Sequence, residues 1–394
     1  MKTSKIAKTI VLYLAFLSMG FFQIILGATL PELAANTNAS IDQISIVFSA
    51  LFLGYMLGSF FNGRLFDHYN PTRLISFALM LGICALFFIP LIHQLWLLVI
   101  IAALMGFGSG TIDIGSNLTL VWVHDSNPGP FMNGLHGSFS VGAFITPLLI
   151  GKILSLTGSV QWAYWIPALL VIPVAVLMFF STPPARPQFH EQNNQTRAHS
   201  PMVFVFFFAA ILLCAAGSGN SFSNWILTYT QQSFPNADAS TAYQMNSLFW
   251  IMIAAIRFIS IPFISKIRSE AILIFDIGGF LLSSILVAVF SHSLGFLWFG
   301  TALAGIAVST TFPSILVFCN RVCGMKGSST RWLFLGASIG NISIPWIIGQ
   351  VFESRGPVWT HIIHAIFLSA GLTLLLILIR LAASRKMNTA VTTQ

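Results

Sequence analysis

Two polar residues, Asp113 and Asn117, stand four apart within an apolar segment that runs from about Trp96 to Val123. That spacing places both side chains on one face of a helix. The segment is long enough to cross a bilayer, which takes ~20 residues at a rise of ~1.5 Å each. A carboxylate inside the bilayer costs roughly 2.5–3.5 kcal/mol unless it faces protein or water. Asp113 is therefore our candidate for binding a coupling cation, H⁺ or Na⁺, and Asn117 for binding the same cation or a substrate.

His136 and Asn133 are one turn apart near the start of the next apolar segment. Because histidine changes charge near physiological pH, His136 could carry the coupling proton or bind substrate. Asn133 lies on the same helix face and is a second candidate for binding substrate. The alternatives are structural. Asp113 could pair with Arg257 or another base, Asn117 could form a hydrogen bond between helices, and His136 could be a histidine satisfied at the interface.

Amides and one indole within other apolar segments are candidates for contacting a polyhydroxy solute. Amide groups hydrogen-bond hydroxyls, and aromatic faces cover the C–H faces of a sugar ring. A contact between helices is the alternative for each of them. These candidates are Gln23, Asn220, Asn224, Trp225 and Asn341.

Arg257 is a single cation within a later apolar segment. We expect it to pair with a carboxylate, because an isolated charge in the bilayer is costly. Alternatively, the Arg257 side chain could extend toward the membrane surface or bind an anionic substrate.

The composition excludes a soluble protein. Of 394 residues, 56% are hydrophobic and 7% are charged, whereas soluble domains carry about 25% charged residues. The net charge of +8 is not arranged as a basic face with interleaved aromatics, so the expected partner is the lipid bilayer and not a nucleic acid. The four cysteines do not form a zinc set with histidines, and no metal or other cofactor is expected beyond a Na⁺ ion at Asp113.

Twelve membrane-spanning helices can be drawn along the chain. The predicted spans lie near 8–30, 43–66, 72–92, 95–123, 131–155, 160–181, 202–231, 240–265, 270–291, 294–319, 328–352 and 358–381.

The longest polar interruption separates two sets of six spans. The sequence therefore predicts an all-α integral membrane protein made of two six-helix bundles, 1–181 and 202–394, joined by a linker at 182–201. Fifteen of the 18 Lys and Arg residues fall on the side of the two termini and the linker, and two fall on the other side. Positive residues concentrate on the cytoplasmic side, so both termini are predicted to be cytoplasmic, in a bacterial-type inner or plasma membrane. We expect a monomer.

Spans five and eleven share a spacing of glycine and proline. Gly142 and Pro147 recur 198 residues later as Gly340 and Pro345. Gly151 recurs in the same register as the Gly at position 349. Such matches at equivalent spans predict an internal repeat, and parallel repeats form transporters whose halves rock around a central site.

The loop after span two resembles the signature of the major facilitator superfamily, G-x3-D-[RK]-x-G-x-[RK]-[RK]. Residues 63–73 read GRLFDHYNPTR, in which Gly63, Asp67 and Arg73 fit, whereas His68 and Asn70 depart from it. The resemblance implies a conformational latch formed by Gly63, Asp67 and Arg73. Asn tolerates the left-handed backbone conformation better than most residues, so we expect its replacement of glycine to be mild.

A closer resemblance covers nearly all of the spans. The segments that carry it are 113–117 (DIGSN), 132–136 (MNGLH), 222–225 (FSNW) and 336–349 (GASIGNISIPWIIG). These segments resemble the fucose:proton symporter branch of that superfamily, and in particular the sodium-dependent glucose transporter relatives within the branch.

The sequence thus predicts secondary active transport by alternating access. Its cargo is expected to be a small neutral solute, most of all a sugar, carried in symport with H⁺ or Na⁺. Proton-coupled export of drugs or metabolites is the alternative, because a fold does not fix function. No G-x4-G-K-[ST] loop for ATP and no H-E-x-x-H motif for a metalloenzyme occurs in the chain. A receptor without transport activity would not require a carboxylate at 113.

Overall fold

The computed structural model describes residues 4–63, 65–124, 128–184, 202–264, 266–323 and 327–391. These residues form α-helices and one short 3₁₀ turn, with no β-strand among them. Twelve helical stretches are long and apolar enough to cross a membrane. The predicted all-α architecture and number of spans are confirmed, and most of the predicted linker lies outside the described residues.

The spans follow one another in chain order and are numbered here from one to twelve. Two of them, spans two and ten, consist of two helices each. The helices of the spans are Lys5–Ala28, Ile41–Ile44 with Ile46–Asn62, Pro71–Phe88, Leu95–His124, Gly129–Thr157, Val160–Phe180, Met202–Ser233, Ala239–Ile264, Ser269–Val289, Leu294–Val308 with Thr311–Cys323, Gly327–Arg355 and Trp359–Val391. Two short helices, Leu30–Thr37 and Leu65–His68, follow spans one and two, and the 3₁₀ turn Ile89–Leu91 follows span three.

The breaks in spans two and ten coincide with serines that bond the backbone. Ser45 donates its hydroxyl to the carbonyl oxygen of Asp42 at 2.6 Å, and Ser309 donates to the carbonyl of Ile306 at 2.7 Å. A side chain that bonds nearby backbone offers an alternative to the helical ladder and often bends the helix.

Spans five and eleven are packed in equivalent ways within their halves. A Cβ added at Gly142 would lie 2.2 Å from the carbonyl oxygen of Leu17 in span one. A Cβ added at Gly340 would lie 2.1 Å from the carbonyl oxygen of Leu213 in span seven. Glycine therefore permits the same close approach of backbones in both halves, as the repeated spacing suggests.

Both of these spans also end in the same manner. Gly158 and Gly356 follow their last residues with φ values of 63° and 88°. A left-handed residue that caps a helix is usually glycine, because it has no Cβ to clash. The two ends therefore add to the internal similarity of the halves.

The two halves touch at the side of the membrane where span one ends. This side is called the opposite side, because it lies across the membrane from the linker. The other side, where span six ends and span seven begins, is called the linker side. Ser49 of span two donates to the carbonyl oxygen of Ile342 in span eleven at 2.7 Å. Nearer the opposite side, the Gln350 amide donates to the carbonyl oxygen of Asp42 at 3.0 Å. These bonds hold spans two and eleven together on the opposite side.

Spans five and eight remain in contact along more of their length. Gly151 faces the ring of Tyr243 near the opposite side, and Gly137 faces the ring of Phe258 nearer the linker side. Between them, Ser247 donates its hydroxyl to the carbonyl oxygen of Phe144 at 2.9 Å. This pair of spans therefore forms a continuous seam beside the central polar residues.

Candidate functional site

Spans two and four pack closely enough to build the site, because each of them carries a pair of glycines. A Cβ at Gly54 would lie 1.9 Å from the carbonyl oxygen of Ala103, and one at Gly106 would lie equally close, 1.9 Å, to that of Leu51. Gly58 and Gly110 repeat this arrangement one turn nearer the linker side. Small residues four apart allow helix backbones to approach each other, and here they bring Tyr55 of span two beside Asp113 of span four.

We expect Gly110→Ala to destabilise the protein, because its Cβ would lie 2.1 Å from the carbonyl oxygen of Tyr55. Overpacking of this kind costs about 1–3 kcal/mol. The melting temperature of the purified protein in detergent should fall by several degrees. The matched control is Gly278→Ala in span nine, where a Cβ would meet nothing within 4 Å. Equal melting temperatures for the two variants would contradict this account of the packing.

The Asp113 carboxylate accepts hydrogen bonds from neutral groups at both of its oxygens. The Tyr55 hydroxyl donates to Oδ2. The Asn117 amide donates to Oδ1 at 2.8 Å and to the backbone carbonyl of Asp113 at 2.9 Å. Tyr55, Asp113 and Asn117 are each half-buried.

No positive side chain of the described residues pairs with Asp113. No Lys, Arg or His nitrogen of the described residues lies within 4.0 Å of the Asp113 carboxylate. The two ion pairs found among the described residues both involve Glu270. A carboxylate without a counter-charge is costly inside a membrane protein. A bound cation would remove that cost.

Arg257 binds neutral acceptors where the sequence led us to expect a carboxylate. Its Nε donates to the carbonyl oxygen of Ser309 at 3.2 Å, and its Nη1 donates to the hydroxyl of Ser140 at 3.1 Å. Nη1 also lies 3.4 Å from the carbonyl oxygen of His136. Ion pairing was expected because an unpaired charge is costly, but among the described residues three neutral oxygens bind Nε and Nη1 instead. Arg257 thus connects span eight with span five of the other half.

His136 lies beside Arg257 on the interior of the bundle, near the linker side. Its ring meets the edge of the Phe16 ring, with centroids 5.5 Å apart, and its side chain is exposed. Asn133, one turn closer to the linker side, is also exposed. Both side chains thus lie near the linker end of span five, separate from the hydrogen bonds of Asp113.

Two of the predicted amides meet between spans seven and eleven. The Asn220 amide donates to the side-chain oxygen of Asn341 at 3.0 Å. Both side chains are partly exposed, and each amide has further hydrogen-bonding capacity. The pair is thus a contact between helices that a hydroxyl group of a solute could also join.

The other candidates of spans one and seven lie in closely packed surroundings. Trp225 is 0% exposed, and its Nε1 donates to the carbonyl oxygen of Pro345 at 3.0 Å. Asn224 is buried, and a Cβ at Gly27 of span one would lie 2.9 Å from the Asn224 Cα. Gln23 is buried in span one. In this conformation Trp225 and Asn224 belong to the contacts that close the opposite side, so a solute cannot reach the Trp225 ring.

Tyr55 is the functional candidate that sequence reasoning missed. The signal was present as the spacing of Gly54 and Gly58 in span two, matched by Gly106 and Gly110 in span four. Such spacings favour close helix pairs, and a tyrosine directly after the first glycine would then face the partner helix.

The loop after span two is described only in part, and the side chain of Asp67 lies outside the described residues, so the latch stays a prediction. The guanidinium of Arg73 lies over the ring of Phe179 at 5.6 Å from its centroid. Gly63 is helical, with φ −51°. Our reason for the mild effect of Asn70 was wrong, because its φ is −65°. It caps span three, accepting a hydrogen bond from the backbone N–H of Thr72 at 3.0 Å.

A second buried carboxylate, Asp276, lies in span nine of the other half. It is 2% exposed and accepts hydrogen bonds from the hydroxyls of Thr310 at 2.9 Å and Thr311 at 3.2 Å. These threonines stand where span ten is broken. Asp276 thus belongs to the packing of spans nine and ten.

Comparisons with known proteins agree with this architecture. The Major Facilitator Superfamily model matches residues 12–345. Sodium-dependent glucose transporter 1 of Xenopus laevis is 26% identical over 381 residues, which cover 89% of this chain and 77% of that protein. Major facilitator superfamily domain-containing protein 4A of Mus musculus is 26% identical over 441 residues, 88% of this chain and 86% of that protein.

A solved structure supports the fold. A mutant of the nucleoside transporter NupG superposes with a TM-score of 0.74 at 16% identity and covers 95% of this chain and 99% of its own. The resemblance drawn from the loop after span two and from the motifs of spans four, five, seven and eleven is thereby confirmed. The chain belongs to the Major Facilitator Superfamily, and it is a multi-pass membrane transporter and not an enzyme.

Proposed function

We propose that this transporter is a symporter that couples the entry of a small neutral solute, most of all a sugar, to H⁺ or Na⁺. The observation that carries the proposal is the Asp113 carboxylate, whose hydrogen-bond partners among the described residues are the neutral side chains of Tyr55 and Asn117. We expect the transporter to need no cofactor other than the coupling ion. We expect it to act as a monomer in a bacterial-type inner or plasma membrane.

Neutralisation of Asp113 would couple the ion to the solute. A free carboxylate resists closure of the halves around a bound solute, because burying an unpaired charge is costly. A bound H⁺ or Na⁺ removes the net charge, so the loaded transporter can change conformation. Asn117 holds the carboxylate from its own helix, and Tyr55 holds it from span two.

Side chains of spans five, seven, eight and eleven fit a neutral, hydroxyl-rich solute. The Asn220–Asn341 pair offers amide groups. The Phe139 and Trp250 rings, one from each half, meet edge-to-face at 5.4 Å and offer apolar surface. Arg257 is already bonded to three oxygens, which disfavours an anionic solute. Sodium-dependent glucose transporter 1 provides the comparison that favours a sugar.

The contacts between the halves suggest how access alternates. Spans two and eleven are bonded at the opposite side through Ser49 and Gln350. A binding site between the halves would then open toward the linker side, where His136 and Asn133 are exposed. Release of these contacts would open the site to the opposite side, as expected for halves that rock against each other.

Uptake by proteoliposomes tests the proposal. Labelled sugars of a panel would be supplied outside the vesicles under a proton gradient, a sodium gradient or neither. We expect accumulation of at least one sugar above its outside concentration under one of the two gradients. Uptake that no sugar and neither gradient stimulates would overturn the proposal, and gradient-driven expulsion of apolar drugs would favour the exporter instead.

Replacing either member of the amide pair should weaken solute binding. We expect Asn220→Ala and Asn341→Ala each to raise KM for the solute roughly 3–10-fold with little change in kcat, the loss of about one hydrogen bond. Initial rates of uptake over a range of solute concentrations give both constants. The matched control is Asn246→Ala, whose buried amide bonds the backbone and hydroxyl of Ser223 within the same half. An unchanged KM in both amide variants would exclude the pair from the binding site.

A further inference from the structure

Two histidines in the first turns of span twelve are completely enclosed by protein. His361 is 1% exposed and His364 is 0% exposed. They are three residues apart, so their side chains share one face of the helix. Their ring centroids are 6.0 Å apart, and the ring planes are inclined by 74°. The pair lies in the C-terminal half, whereas Asp113 lies in the N-terminal half.

Aromatic side chains of spans seven and nine surround the pair. Tyr229 of span seven meets His361 edge-on, with centroids 4.5 Å apart. Phe222 of the same span lies 5.8 Å from His361 and 6.0 Å from His364. Phe280 of span nine lies 6.0 Å from His364. The contacts described for the pair thus include no charged side chain.

None of the four ring nitrogens of His361 and His364 has a hydrogen-bond partner among the described residues. A neutral imidazole has one N–H donor and one acceptor nitrogen. Buried polar groups in native proteins are nearly always satisfied by protein or by ordered water. The pair therefore requires a ligand that can both donate and accept.

Water fits this requirement better than an ion does. A positive ion would be enclosed by aromatic rings without a carboxylate to balance its charge. The described part of the chain also contains no group of three or more His, Cys, Asp or Glu that could hold a metal ion. A single water about 2.8 Å from a nitrogen of each ring can bridge rings at this separation.

We propose that His361 and His364 form a binding site for an internal water that bridges the two imidazoles. The water satisfies one nitrogen of each ring, within the enclosure that aromatic side chains of spans seven and nine form around the pair. Internal waters of this kind are integral parts of a fold. The site does not depend on the coupling role of Asp113.

Melting temperatures of the purified protein test the proposal, with the variants His361→Leu, His364→Leu and both together. Leucine has a similar volume but no polar atom. If one water bridges the rings, each single change leaves the water and the other ring with a partner missing, so each lowers the melting temperature. The double change removes both rings together with the water, so it should lower the melting temperature no further than the worse single change. Effects that add in the double variant, whether stabilising or destabilising, would overturn the proposal.

The variant His361→Gln gives a second test, because glutamine keeps a donor and an acceptor. We expect its melting temperature to lie closer to that of the unaltered protein than that of His361→Leu does. A structure at a resolution that defines water should show a density peak within about 3.2 Å of a nitrogen of both rings. Absence of that peak, or a leucine variant more stable than the glutamine variant, would show that the pair is dry.

Discussion

Replacing Asp113 by asparagine is expected to abolish gradient-driven accumulation of the solute, while exchange of solute at equal concentrations on both sides continues. The amide preserves the size of the side chain and can still accept a hydrogen bond from Tyr55. It is permanently neutral, so the transporter changes conformation whether or not a cation is bound. The gradient then no longer favours either direction of net movement.

The measurement is the ratio of inside to outside solute in proteoliposomes at steady state, with exchange of labelled solute followed in parallel. Asp276→Asn is the matched control, because Asp276 is also a buried carboxylate but is bonded to Thr310 and Thr311 in the other half. We expect this control to accumulate solute. Accumulation by Asp113→Asn at the level of the unaltered protein would rule out the coupling role of Asp113.

Gly349→Ala is expected to stop transport by preventing closure at the opposite side. A Cβ at Gly349 would lie 2.2 Å from the Cβ of Ser45, across the contact between spans eleven and two. Atoms this close cannot coexist, and the clash arises because the two halves meet at this point. The variant should therefore fold, remain open at the opposite side and take up solute roughly 5- to 150-fold more slowly, since a clash of this kind costs about 1–3 kcal/mol.

A second change should reverse the first. Ser45→Gly removes the Cβ that collides, so uptake should recover in the double variant. Closure is measured separately in the background of Ser49→Cys, which places a thiol at the same contact. An impermeant thiol reagent is added from the opposite side, and the rate of labelling reports how open this side is. We expect faster labelling with Gly349→Ala and a return to the slow rate with Ser45→Gly added. Labelling that Gly349→Ala leaves unchanged would contradict closure at this contact.

The spans could be predicted from the sequence because their signal is local. Runs of apolar residues of bilayer length gave all twelve. Their predicted ends lie within several residues of the observed ones, except that the helix of span twelve continues to Val391, past its predicted end at 381. The breaks of spans two and ten at Ser45 and Ser309 were not predicted. Hydropathy does not register a hydroxyl that bonds the backbone one turn earlier.

The candidate site was predictable as far as it lies on one helix. Asn117 stands four residues after Asp113 and bonds it at 2.8 Å, as i and i+4 neighbours can. Tyr55 comes from another helix, and its contact depends on how deeply spans two and four interlock at their glycines. Such a register follows from packing between helices, which periodicity within one helix does not contain.

The environments of Trp225 and Arg257 show the same limit. Both were assigned by the chemistry of their side chains, as a sugar platform and a partner for a carboxylate. In this conformation each of them bonds a backbone carbonyl oxygen, that of Pro345 for Trp225 and that of Ser309 for Arg257, and the role of Trp225 toward a sugar stays a prediction. Which neutral acceptors a neighbouring helix presents depends on the bend and rotation of that helix, and these are properties of the folded bundle.

Cation flux that accompanies solute entry tests the coupling role of Asp113 most directly. Proteoliposomes would be loaded with a pH-sensitive or a sodium-sensitive dye, and solute would be added outside without any imposed gradient. We predict that solute drives H⁺ or Na⁺ inward in the unaltered protein and drives neither in Asp113→Asn, although solute still enters. The coupling role of Asp113 would be contradicted by cation entry with solute in Asp113→Asn, or by solute entry without any cation in the unaltered protein.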